Sequence, residues 1–141
     1  MLQTGGLFLN PAAETFQALI DALATVAPVQ IGRAAGVIDP AVPLPVITLQ
    51  LAQDAPTEKT PAQRFRQQWT RTVHIEVFFE ATERWHEPAD AFLYAIRRAL
   101  VRIKGAVVRI EAVGFSPPNQ GGESATVQIR GSFDYTLQFT E

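Results

Sequence analysis

From Ser124 to Thr140 the chain alternates between apolar and polar residues almost without a break. Val127, Ile129, Phe133, Tyr135, Leu137 and Phe139 take odd positions, and Gln128, Arg130, Ser132, Asp134, Thr136 and Gln138 take even ones. Successive side chains of a strand point to opposite faces, so the pattern predicts one long half-buried strand. A helix would scatter the same apolar residues around its circumference. Gly131 is the one interruption and marks an expected bulge or bend. The rest of the chain must therefore supply sheet partners and a cover for the apolar side.

Two stretches read as that cover. Asn10-Pro11 is an N-cap followed by proline at a first helical position. Phe16, Leu19, Ile20, Leu23 and Ala27 then recur at helical spacing until Pro28, which predicts a helix over 11–27. Pro88 opens the second, with Phe92, Leu93, Ile96, Leu100 and Ile103 as its stripe and Gly105 as its close. Asp90 near its start and Arg97, Arg98, Arg102 and Lys104 toward its end suit the helix dipole.

The partners are shorter runs. Val29-Gln30-Ile31 is a brief strand, and Val46 to Leu51 follows a turn-rich stretch of glycines and prolines. Residues 52–63 are polar and aperiodic and predict a long loop, extending to about 69 as a projecting stem. The strand of 70–82 carries Val73, Ile75, Val77 and Phe79 on one side and His74, Glu76 and Glu80 on the other. Val107 to Ala112 is the next strand, and Ser116 to Glu123 is a loop. The sum is a single α+β domain of two layers: two helices on one face of a four- to five-stranded, mostly antiparallel sheet, with a long hairpin loop and a flexible arm at 1–9.

Composition narrows the chemistry. The chain of 141 residues has a net charge of -2, short of the basic excess that phosphate binding asks for. It has no cysteine, which removes disulfides, thiolate metal sites and a cysteine nucleophile. No basic leader precedes an apolar run, and no apolar run approaches the ~20 residues of a membrane span. Ser116, Ser124 and Ser132 lie in no nucleophile elbow, and the Gly-Gly pairs form no phosphate loop. His74, Glu76, His86 and Glu87 are the residue types of a metal site, yet a solvated strand face beside a helix start accounts for them more simply. Phe65 and Trp69 among Arg64, Arg66 and Arg71 look superficially like a stacking platform for single strands. Aromatics with arginine are also what protein interfaces favour, and Leu7, Phe8 and Leu9 add apolar surface needing a cover. The reading is of no enzyme and no cofactor, but of surface completed by another subunit.

This layout resembles the tail terminator, or tail completion, proteins of long-tailed bacteriophages and their relatives among minor tail and head–tail joining proteins. The likeness rests on the opening helix, the turn-rich run from Ile31 into Val46-Ile47, and Val73 to Ala81. It rests also on Glu87 to Leu100 and on Arg130 to Phe139. It implies a non-enzymatic virion protein, assembled in the host cytoplasm, whose homohexameric ring caps the tail tube at its head-proximal end. Its implied partners are copies of itself, the tail tube protein and the head–tail connector or neck protein, with DNA passing through unbound. Tube and neck proteins share a similar fold, so these roles stand as the alternative. On this reading Leu7, Phe8, Leu9, Arg64, Phe65, Arg66, Trp69 and Arg71 are subunit or tube contacts. Gln128, Arg130, Asp134 and Gln138, on the polar face of the last strand, line the channel or a subunit contact.

Overall fold

The computed structural model describes residues 10–31, 43–57, 66–103, 105–118 and 124–138. The alternating segment is a strand of 15 residues, β5 (Ser124–Gln138). It runs antiparallel to an equally long β3 (Arg66–Glu80), in unbroken register from Arg66 opposite Gln138 to Glu80 opposite Ser124. With β1 (Val29–Ile31), β2 (Val46–Pro56) and β4 (Val108–Ser116) they form one sheet in the order β1-β2-β3-β5-β4. Of the paired neighbours only β1 and β2 are parallel.

Helices α1 (Pro11–Ala24) and α2 (His86–Leu100) pack on each other and on β5. They bury the odd-numbered side of the strands. Leu19 and Leu23 from α1 and Leu93, Ile96 and Leu100 from α2 close over Ile47, Leu49, Val73, Ile75, Val77, Val127, Ile129 and Phe133. Each such side chain withdrawn from water contributes about 1.5–3 kcal/mol, which is what holds the helices down. This is the two-layer α+β arrangement that the alternation implied.

The element boundaries depart from expectation in instructive ways. Asn10 does cap α1, its Oδ1 accepting from the Ala12 and Ala13 amides at 2.9 and 3.3 Å. That helix ends at Ala24, three residues short of the predicted 27, because Thr25 already turns its amide and hydroxyl back onto Ala22. Helix α2 starts at His86, so Pro88 is its third residue rather than its first. A proline is tolerated there because first-turn amides have no helical acceptor. Gly105 does not close α2, which stops at Leu100. Its φ of 81° instead turns the chain into β4.

The predicted loop over 52–69 is the largest correction. β2 continues through Pro56 and β3 starts at Arg66, so 52–56 and 66–69 are ladder, paired Gln53–Thr72, Asp54–Arg71, Ala55–Thr70 and Pro56–Trp69. Polar residues here form strand because the segment lies past the helices, where neither face is required to be apolar throughout. Residues 58–65 lie outside the described residues.

Gly131 also differs from expectation. β5 does not bulge there; the extra residue sits opposite, in β4 between Ile110 and Ala112. A Cβ at Gly131 would stand 3.3 Å from the Arg109 carbonyl oxygen and 3.8 Å from the side chains of Val73 and Val108. Glycine is what lets the bulged strand approach. A second bulge falls between Leu51 and Gln53 in β2, in nearly the same row of the sheet.

Candidate functional surface

The sheet face away from the helices carries the even residues of β3 and β5, and nearly every charge on it is matched. Arg109 donates to both Asp134 oxygens, at 3.2 and 2.9 Å, and to Ser132 Oγ at 3.1 Å. Ser132 donates to Glu111 at 2.8 Å, and Arg130 Nε donates to the same carboxylate at 3.2 Å. The Thr70 hydroxyl donates to Asp134 at 2.7 Å and lies 3.0 Å from the hydroxyl of Thr57. Arg109 and Thr70 together hold the Asp134 carboxyl below its ordinary range, against a smaller opposing effect of burial. Bidentate, charge-assisted contacts of this kind fix geometry as well as adding energy.

Toward the other end of this face the surface dips. Ala112 and Gly114 leave a trough of about 390 Å³ bordered by His74, Glu76, Gln128 and Arg130. Gln128 Nε2 donates to Glu76 at 3.0 Å and to Ser116 at 3.2 Å. His74 lines this trough with Glu76, whereas His86 does not. Among the described residues no three of His, Asp and Glu come together as a metal site would need.

The helix-side face has its own lock beyond the helices. Arg71 donates to both oxygens of Asp54 at 2.8 Å, and the Tyr135 hydroxyl donates to the same carboxylate at 3.1 Å. The Arg71 guanidinium carbon sits 5.5 Å from the centre of the Tyr135 ring, a cation–π distance. The hydrogen bond from Arg71 pulls the Asp54 carboxyl down, while burial first and Asp54 second push the Tyr135 phenol up.

Two of the residues expected at an interface, Arg71 and Trp69, are engaged within the chain. Arg71 is ion-paired within the chain. Trp69 is half-buried and packs against the core cluster, with its indole N–H enclosed and no acceptor among the described residues. It is therefore not an open stacking platform. Gln128, Arg130 and Asp134 do lie on the face expected of them, each engaged by a neighbour. Leu7, Phe8, Leu9, Arg64 and Phe65 lie outside the described residues, as do the side chains of Arg66 and Gln138.

Sequence reasoning missed two features. One is the Asp54–Arg71–Tyr135 lock, hidden because Asp54 reads as loop until its strand is known. The other is a pair of open sheet edges. The whole outer side of β4, and the outer side of β2 beyond the three residues paired with β1, have no strand partner among the described residues. No described helix is long and apolar enough to cross a membrane.

No family model and no curated protein matches the chain. A solved structure known only by a sequence identifier is similar over 92% of this chain and 95% of its own, at 23% identity and a TM-score of 0.49.

Proposed function

We propose that this chain is a structural protein of a phage virion, forming a ring that caps the tail tube, ends its polymerisation and offers a surface to the head connector. The observation that carries the reading is the pair of open edges. β2 from Gln50 to Pro56 lies opposite His74 to Trp69 of β3, and β4 from Val108 to Ala112 lies opposite Phe133 to Arg130 of β5. Because Arg130 to Phe133 in turn face His74 to Arg71, both edges are open in the same rows of the sheet. β2 and β4 run in opposite directions. Copies set side by side in one orientation therefore bring β4 of each antiparallel to β2 of the next, the geometry of strand addition. Such a head-to-tail contact closes into a ring when its rotation closes. Bulges on both edges are a device against indiscriminate pairing and suit an edge kept for one partner.

The matched arginines support a channel that does not hold DNA. Arg109 and Arg130 are both ion-paired on the open face, which leaves few phosphate anchors there among the described residues. A tube or neck protein would use the same edges; it differs in whether growth continues past one ring. The test is negative-stain imaging of tail tubes polymerised with and without this protein. Capped tubes of fixed length are expected, and tubes that grow unchanged, with no particle at their ends, would remove the reading.

A further inference from the structure

Seven arginines have described side chains, and they divide sharply. Arg71, Arg84, Arg109 and Arg130 each have a carboxylate partner within the chain. Arg97, Arg98 and Arg102 are exposed, have no ion pair among the described residues, and crowd the end of α2. Beside them are two of the most exposed large apolar residues described, Tyr94 at 65%, one turn before Arg97 and Arg98, and Val101 at 81%, next to Arg102. At 3.6 residues per turn, Glu87, Tyr94 and Val101 stack along one stripe, with Asp90 and Arg97 on a common flank beside it. That stripe points away from Ala89, Leu93, Ile96 and Leu100, which pack on the sheet. Asp90 is exposed and has no ion pair among the described residues either.

The distribution is self-complementary. We infer that the outer face of α2 docks on the same face of a second copy, the two helices antiparallel about a two-fold axis at Tyr94. An isologous contact requires residue i to meet residue j and j to meet i. With the axis at Tyr94, Asp90 of each copy meets Arg97 of the other, while Arg98 lies on the opposite flank of the seam. The stripe from Glu87 to Val101 forms the seam, and the Tyr94 rings meet at its centre. In antiparallel helix pairs the same flank of each helix is apposed, which is what places Asp90 and Arg97 together twice. A helix dipole alone explains acid at the start and base at the end. It does not account for Tyr94 and Val101, both exposed, sharing one stripe beside that acid and base. The contact uses neither sheet edge, so it stands independently of the ring and joins whatever unit the edges build.

The test is the mass of the full chain by sedimentation velocity at low salt, with folding followed by circular dichroism. The expected result is twice the unit mass, halved by Asp90→Arg or by Arg97→Asp alone and restored by the two together. Because the chain lacks cysteine, Tyr94→Cys provides a second readout. It forms an intermolecular disulfide under mild oxidation, since only groups close to a two-fold axis come within the ~7 Å that such a bond allows between Cα atoms. Glu83→Cys, before the helix, does not. Undoubled mass at all concentrations, single variants that still double, or a double variant that fails to restore would each overturn the proposal. So would binding of polyglutamate or DNA that needs Arg97 and Arg98 but is indifferent to Asp90→Arg, because it would give the face to another acidic partner. Should the unit prove to be one chain rather than a ring, doubling still decides this contact, and the edge reading fails separately.

Discussion

The open face of the sheet and the outer face of α2 are both rich in arginine, and they use it in opposite ways. On the sheet, Arg109 and Arg130 are bound to Asp134 and Glu111 across neighbouring strands. On the helix, Arg97, Arg98 and Arg102 reach solvent without a carboxylate partner among the described residues. The first arrangement holds a sheet in register where no helix supports it. The second leaves charge and apolar area to be completed from outside. Net charge conceals the difference, since it counts both sets alike; geometry separates charge that folds the chain from charge free to recruit a partner.

Substitutions test that contrast in descending order of effect. Phe133 is fully buried beneath the ladder that Ser132 and Asp134 support. Phe133→Ala is expected to cost about 3–5 kcal/mol, read as a lower urea midpoint, and to loosen both faces of β5 together. Gly131→Val forces methyl groups toward the Arg109 carbonyl and the side chains of Val73 and Val108, at an expected cost of about 1–3 kcal/mol in the same assay. Asp134→Ala removes the partner of Arg109 and Thr70. At a half-exposed position we expect about 1 kcal/mol, with the α2 face unaffected.

The acid limb sharpens the comparison further. Asp54 and Asp134 both have folded-state values below the ordinary carboxylate range, because Arg71 and Arg109 donate to them. Their contribution is therefore fully present above about pH 4 and is lost as pH falls through the depressed folded values. Unfolding midpoints measured from pH 6 down to pH 2.5 should drop, and Asp134→Asn should flatten part of that drop. The smallest effect belongs to the helix: Arg97→Ala should shift the monomer's stability by less than about 0.5 kcal/mol. Its consequence should appear only in self-association.

Much of this fold was legible beforehand. The alternation of Val127 to Phe139 placed the odd face of β5 in the core, and Asn10-Pro11 located the start of α1, because both signals are local. Asp54 was not legible as strand. Its neighbours Ala52, Gln53 and Ala55 carry no period, and only pairing with Arg71 and Thr70 makes them extended. The bulge opposite Gly131 was assigned to the wrong strand because a glycine marks a close approach without saying which backbone approaches. On the candidate surface, the even residues of β5 were identifiable, but their partners Arg109, Glu111 and Ser116 come from a strand whose register no local pattern fixes.

The central claim is that two open edges, β2 and β4, join copies head to tail. Native mass spectrometry of the purified chain at several concentrations tests it most directly. The account predicts a discrete closed species, six subunits of 15.5 kDa if the resemblance to tail terminators extends to ring size, or twice that number where the α2 faces also dock, with intermediates only at low concentration. A chain that stays monomeric, or stops at two subunits whatever its concentration, would contradict it.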